Sequence, residues 1–549
     1  MKSFDKLSFE SGLLLSILAM AGLRFLLLGQ HELWYDEALS LLLSSGKKGA
    51  YTAPGIVPMA VKEYSMLLAV PVGSLAEAIE KVLKGIVGDV HPPLFYLSQH
   101  FWMRLFGASE VAQRSLVALT GLGTIGAAYG LGRTAINSRG GLILAALVAF
   151  NPFLLSHALN LRMYTLLVLW TLLSQWALVV LIRGDQERHW QKRQRLWLMA
   201  AVAVTVAGGL LTQYLFVYTL ASLAILVLAV GRRHWLQYGL TLAAGVVLML
   251  PWALWGTRQQ IRNRGGALSQ VSAEGNPVGR HLQDILQTLA DHLVLGRWTA
   301  GFEPIASDIK PAAVIVGLFV VMFLGVCALG LYSRGRYRLL LTSVILGLGP
   351  LLIAWGLDIF SNSYTVGFGW GRTTIMAVPG CLLLITGWVT SLSRRWQGRA
   401  ISGLLALYFA VGVGDQVLRE RDAFRTVSEW VEQAPSRSTL IAMNSRAWGN
   451  VSKLAYYVNG ELPVDMLATN PVELAGAVDT ALAKTAYDRV LWLNTPFPVW
   501  KTPKTLEAAE AYQQSVSRAL ANRYESVQET TTQGTMKLDR FTLRLYEAR

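Results

Sequence analysis

Apolar runs recur along the chain near residues 11–29, 115–132, 142–158, 163–182, 196–212, 213–231, 236–256, 311–333, 338–357, 373–391 and 400–416. Each is close to the length that crosses a bilayer as a helix. The pattern therefore predicts an all-α polytopic membrane protein of about eleven transmembrane helices, with thirteen as the upper bound. Five of the short polar stretches between runs are basic: "RTAINSR" (133–139), "RGDQERHWQKRQR" (183–195), "GRRHW" (231–235), "RGRYR" (334–338) and "SRRWQGR" (393–399). The positive-inside rule assigns all five to the cytoplasm. With a cytoplasmic N-terminus each falls on its correct side, and an odd number of spans leaves the C-terminus extracytoplasmic. The first apolar run is long, is interrupted by Arg24 and is followed by no small-residue cleavage site, so it reads as a retained span of the plasma (inner) membrane.

The stretch "HPPLFYLSQHFWMRLFG" (91–107) is apolar enough to suggest a further span. It is short, starts with two prolines and contains His100 and Arg104. Counting it would invert the charge asymmetry of every later loop, so an amphipathic helix in the outer interface is preferred. Four regions then face outward: a first loop over 30–114, the turn at Asn160–Arg162, a stretch over 257–310 and another over 358–372. The pattern changes near residue 417. "RDAFRTVSEWVEQAP" and "TLEAAEAYQQSVSRALANRY" have helical periodicity, whereas "STLIAMN", "RVLWLN" and "TMKLDRFTLRLYEAR" read as strand structure. The division is a membrane part over 1–416 and a soluble extracytoplasmic α/β domain over 417–549.

Composition agrees with a membrane class: 53% of the 549 residues are hydrophobic, only 15% are charged, and mean hydropathy is +0.40. The net charge of +15 could point to nucleic acid. Its concentration in short loops and the lack of an aromatic-interleaved basic stripe argue against that partner. Cys327 and Cys381 both lie in apolar segments, which excludes a disulfide framework and an activated thiol.

The chemistry concentrates where "LRFLLLGQHELWYDEALSLLL" (23–43) leaves its first apolar run. Asp36 there can cap a helix, with Glu37 in the favourable first turn and Trp34 and Tyr35 as interfacial aromatics. A carboxylate at the membrane surface can equally serve as a general base. Arg114, Arg162 and Arg372 open three predicted spans at the same face. Each alone can snorkel to headgroups. Together, in a layer that also holds His31 and His91, they suit a lipid-linked phosphate, which arginine binds bidentately. His31, His91 and Glu37 match no standard metal spacing; a divalent ion stays open but unsupported. "GLGTIG" (121–126) lies inside an apolar run and reads as helix packing.

The combination of W-x-D-E-A in the stretch above, "HPPLFYLSQHFWMRLFGASEVAQRSLVALTGLGTIGAAYGLGR" and "NPFLLSHALNLRMYTLL" resembles the glycosyltransferase family 39-type membrane enzymes, which include bacterial lipid A aminoarabinose transferases and protein O-mannosyltransferases. The likeness is good over about residues 20–170 and weaker beyond, where "LPW" (250–252) and "GRTTIMAVPG" (371–380) fit. It implies the GT-C fold and inverting transfer of a sugar from a polyprenyl-phosphate donor to a lipid, glycan or protein acceptor outside the cytoplasm. It implies a catalytic Asp matching Asp36, with Glu37 beside it. Arg114 and Arg162 would contact the donor phosphate, with Arg372 a further candidate. His91, Tyr164 and Trp34 would contact substrate, and no cofactor is implied. Asn160 and Gln213 stand where many members carry an acidic residue and a histidine. Positions 36 and 37 diverge by about 100° if helical, which suits inversion over retention. A transporter or flippase of lipid-linked sugars, or a structural subunit of an envelope glycan complex, would share the basic residues and the helical bundle.

Overall fold

The computed structural model describes residues 4–187, 190–264, 277–301, 306–532, 534 and 536–549. Within them nine helices are long and apolar enough to cross a membrane. A tenth forms if Ser138–Phe150 and Pro152–Ala158, bent by 63°, count as one span. The protein is therefore a multi-pass membrane protein with nine to ten candidate spans. The remaining predicted run, 213–231, is the shorter apolar helix Tyr214–Val230. It is separated from helix Lys192–Thr212 by the extended backbone of Gln213. The count of thirteen finds no support among the described residues. The helix Leu94–Phe106 occupies 91–107, and it too falls short of a span.

The 63° bend has a local cause. Asn151 precedes Pro152, which disfavours helical backbone at Asn151 and suits the first position of a new helix. The Asn151 side chain accepts from Leu154 N (2.9 Å) and donates to the carbonyl of His292 (2.9 Å). The short helix after the bend turns the chain into the loop that carries Asn160 and Arg162. Elsewhere small residues set the packing. A side chain at Gly380 would come within 2.1 Å of the Gly347 backbone, so helices Tyr337–Ser361 and Val378–Val389 touch main chain to main chain. Gly121 and Gly123 of "GLGTIG" give room to the side chains of Ala158 and Leu169, as expected of a packing motif.

The predicted outer stretch 257–310 is not an open loop. Its described parts form helices Arg258–Arg264, Pro277–Ala290 and Trp298–Gly301, and residues 265–276 and 302–305 lie outside the description.

The last quarter of the chain, joined by one strand from the first polar loop, builds a mixed sheet. Its strands are β1 (Met59–Ala60), β2 (Thr439–Met443), β3 (Val464–Ala468), β4 (Arg489–Asn494), β5 (Tyr524–Thr532) and β6 (Phe541–Ala548), in the order β1-β3-β2-β4-β6-β5. β2 runs parallel to β3 and β4, and β6 runs antiparallel to β4 and β5. β2 and β4 are buried at every position, as their continuous apolar runs require. β1 comes from the first polar loop and pairs antiparallel with β3, Met59 opposite Met466. The sheet therefore holds the segment that also carries Asp36.

Candidate active site

The helix Tyr35–Ser44 begins at Trp34, two residues earlier than a cap at Asp36 would place it. Asp36 and Glu37 are thus its second and third residues, where negative charge meets the positive end of the helix dipole. The Glu37 carboxylate also accepts from the Trp34 backbone N–H at 2.6 Å, satisfying an otherwise orphaned donor.

The two carboxylates diverge into different surroundings. Glu37 is fully enclosed. Arg114 grips it bidentately, Nε to Oε1 and Nη2 to Oε2, both at 2.8 Å. The N–H of Leu161 donates to Oε1 at 2.7 Å. The other donors of Arg114 go to the carbonyls of Leu28, His31 and Glu32 at 2.7–3.0 Å. All five guanidinium N–H groups are therefore occupied. Burial works to raise the Glu37 carboxyl, but Arg114 outweighs it and holds the group below its ordinary value.

Asp36 faces a more open space, with 18% of its side chain exposed. Arg372 Nη1 donates to Asp36 Oδ2 at 2.9 Å, and Arg162 Nε lies 3.9 Å from the same oxygen. Arg162 is held by Ser40 Oγ (3.0 Å) and the Asp36 carbonyl (3.3 Å). The Nε groups of Arg162 and Arg372 are buried and make no hydrogen bond among the described residues. Burial tends to raise the Asp36 carboxyl; the charges of Arg162 and Arg372 and the hydrogen bond from Arg372 prevail and hold it below its ordinary value. Arg372 lies over the rings of Trp34 and Tyr164, each 5.6 Å from its guanidinium carbon. It also lies against Gly369, where a β-carbon would come within 2.3 Å of its Nε. Gly369 and Gly371 have φ of +63° and +76°, a turn that glycine adopts without strain.

Five of the eight residues singled out in the sequence thus form one cluster: Asp36, Arg162, Arg372, Trp34 and Tyr164. Glu37 and Arg114 form a second, sealed cluster beside it. His91 reaches the first through an intermediary that sequence reasoning missed. Its Nδ1 lies 3.0 Å from Asp89 Oδ1, and Asp89 also accepts from Tyr96 Oη at 3.0 Å. Burial pushes Asp89 up, yet His91 and Arg162 bring it well below the ordinary carboxylate range. Tyr214, in the Gln213-Tyr214 pair, bonds Gln260, whose side chain donates to the His91 carbonyl at 2.9 Å. His31 turns away and bonds the Gln416 carbonyl at 2.9 Å. Burial and the neighbouring Arg421 lower it to about 4, so it is neutral at pH 7. Among the described residues no group of three or more His, Cys, Asp and Glu side chains could hold a metal ion.

The sealed cluster continues into the C-terminal region. Arg421 donates to Asp539 (3.1 Å) and lies 3.9 Å from Glu37. Lys453 stands between Asp539 (3.5 Å) and Glu32 (3.8 Å), and Glu32 accepts from Phe424 N. Tyr457 Oη accepts from Leu33 N at 2.6 Å. None of these partners could be paired from sequence, because the contacts join positions from 86 to more than 400 residues apart.

Residues 90–255 match the family described as dolichyl-phosphate-mannose-protein mannosyltransferase. The fold is similar to that of ArnT from Cupriavidus metallidurans bound to undecaprenyl phosphate, with a TM-score of 0.53, 12% identity, and 97% of this chain and 98% of that chain covered. It is also similar to the Archaeoglobus fulgidus oligosaccharyltransferase tethered to an acceptor peptide, with a TM-score of 0.52, 11% identity, and 97% of this chain and 74% of that chain covered. The chain shares the fold of these membrane proteins over nearly its whole length. No curated protein matches it. The matched segment supplies His91, Arg114 and Arg162, and the spans beyond it supply Arg372.

Proposed function

We propose that this protein is a glycosyltransferase that moves a sugar from a polyprenyl-phosphate donor to an acceptor nucleophile, with inversion, beside Asp36. The observation that carries the reading is the pairing of one carboxylate with two arginines whose buried Nε groups lack partners. A polyprenyl phosphate leaves readily once its charge is neutralised, so the reaction needs a base for the acceptor and cations for the leaving group. Arg162 and Arg372 supply the cations, and Asp36 is the base. Trp34 and Tyr164 orient the Arg372 guanidinium. The Asp89–His91 pair lines the approach to Arg162. Arg114, with every donor engaged, and Glu37, with no exposed oxygen, hold the loop in place and leave the donor phosphate to the other two arginines. The site lies at the end of the bundle away from the five basic loops, and the positive-inside rule supports an extracytoplasmic position for it and for the C-terminal sheet, at the plasma membrane.

In the free enzyme Asp36 is occupied by Arg372. An arriving phosphate competes for the same guanidinium and releases the carboxylate as a stronger base. This gives an expected pH dependence. The kcat/KM profile reports the free enzyme, in which Asp36 is held below 3.8. It stays level from neutral pH down to that value. The kcat profile reports the donor complex, and its acid limb lies at higher pH. Coincident limbs would remove the exchange of partners from the mechanism.

The reading itself is tested with purified protein and a panel of polyprenyl-phosphate sugars, by detecting free polyprenyl phosphate. Slow release without acceptor is expected of an enzyme and not of a flippase or a structural subunit. Arg372→Gln is expected to lower kcat by about 100- to 1,000-fold, the typical effect of removing one preorganised donor to developing negative charge. An unchanged kcat with a raised KM would assign Arg372 to ground-state binding alone.

A further inference from the structure

At the end of the bundle opposite Asp36 a cavity of about 470 Å³ opens among four helices. It lies between the C-terminal ends of Glu110–Ala135, Tyr164–Gln186 and Val217–Val230 and the start of Tyr337–Ser361. Its walls include Ile136, Val179, Ile182, Leu226 and Val230, and its polar lining carries Arg183 and Arg338 together with Gln186 and Glu187. Its volume is in the range of sites that enclose a ligand of several hundred daltons.

The two arginines differ in how they are held. Arg183 pairs with Glu187 (2.8 Å) and donates to the Thr134 carbonyl. Arg338 donates to Gln186 Oε1 at 3.0 Å, pairs with no carboxylate among the described residues, and is exposed. Its charge is therefore uncompensated beside a hollow whose wall is apolar on one side and polar on the other. Tyr337, next to Arg338 in sequence, meets Tyr332 edge to face at 5.2 Å, and both are more than half exposed, as aromatics at headgroup depth are.

We propose that this cavity binds an anionic phospholipid, its phosphate at Arg338 and Arg183 and its tail along the apolar wall. Basic pockets between transmembrane helices are suited to such headgroups. The sugar donor is a poor occupant by position. From Arg114 to Thr134 the helix Glu110–Ala135 rises by roughly 30 Å, at about 1.5 Å per residue. A donor phosphate held at Arg338 could not reach Asp36. The occupant is thus a resident lipid of the leaflet beside the basic loops, distinct from the reacting one.

The test uses full-length protein in mild detergent, with phosphatidylglycerol and phosphatidylcholine as probes. Native mass spectrometry and the thermal midpoint are read in parallel. Phosphatidylglycerol is expected to be retained and to raise the midpoint, and phosphatidylcholine to do neither. Arg338→Gln is expected to weaken phosphatidylglycerol retention about fivefold and the double variant R183Q/R338Q on the order of thirtyfold, from the usual attraction per basic residue. Val179→Trp, which fills the wall and leaves both arginines, should abolish retention as well. Equal response to the two lipids, or unchanged retention in both the Arg338 and the Val179 variants, overturns the proposal. So does displacement of phosphatidylglycerol from wild type by a polyprenyl phosphate, which would make the site one for the donor lipid.

Discussion

Asp36→Asn is expected to slow sugar transfer by about a hundred- to ten-thousand-fold, the range typical of losing a general base. The substitution keeps size and shape, and an amide oxygen can still accept from Arg372. What it removes is the charge. This has a second consequence, because Asp36 is the carboxylate that neutralises Arg372 and contributes most to neutralising Arg162 in the empty site. Without it both guanidiniums are freer to take the donor phosphate. The expected result is therefore a fall in kcat accompanied by an unchanged or lower KM for the donor. Simple damage to the site would lower kcat and raise KM together. Near-normal turnover in Asp36→Asn would remove this residue from the chemistry. Circular dichroism and the thermal midpoint should stay close to wild type, since Asp36 is partly exposed and Glu37, not Asp36, carries the buried bonds.

The membrane part was legible in the sequence because its signal is local. Each apolar run reports its own helix, and ten of the eleven predicted runs coincide with candidate spans once the bend at Asn151 is counted within one of them. The exception, Tyr214–Val230, failed on length alone. The convergence of Asp36, Arg162 and Arg372 was also legible, since three arginines and a carboxylate at the same end of their helices must share one layer. The division of labour among the arginines was not. Arg114 and Arg372 look alike in sequence, each opening a span. One is saturated by Glu37 and three carbonyls; the other keeps an unpartnered Nε. That difference depends on where residues 28–32 run, and no local pattern encodes it. The sheet shows the same limit. β2 and β4 announce themselves as apolar runs, whereas the two-residue β1 has no signal of its own and exists because β3 offers an edge.

Glu37→Gln tests whether Arg114 and Glu37 are a simple ion pair or the hub of a larger network. Breaking a buried pair by removing one charge leaves the other uncompensated, at a cost of about 3–5 kcal/mol. A marked fall in the thermal midpoint is expected, with loss of activity following from loss of the loop. The linkage has a definite sign. The folded-state pKa of Glu37 lies below its ordinary 4.5, so its contribution is complete above that value and is lost as pH falls further. The wild-type midpoint should therefore drop in acid, and Glu37→Gln should flatten that part of the profile. Replacing a whole buried pair with apolar residues is often neutral or stabilising. Here it should not be. Glu37→Met with Arg114→Met would strip partners from the carbonyls of Leu28, His31 and Glu32 and from the N–H groups of Trp34 and Leu161. Each buried group left unsatisfied costs about 1–3 kcal/mol. The double variant should thus be at least as unstable as Glu37→Gln. A double variant restored to wild-type stability would show the backbone contacts to be incidental. The loop bearing Asp36 would then be held by Arg421, Lys453 and Asp539 from the C-terminal region alone.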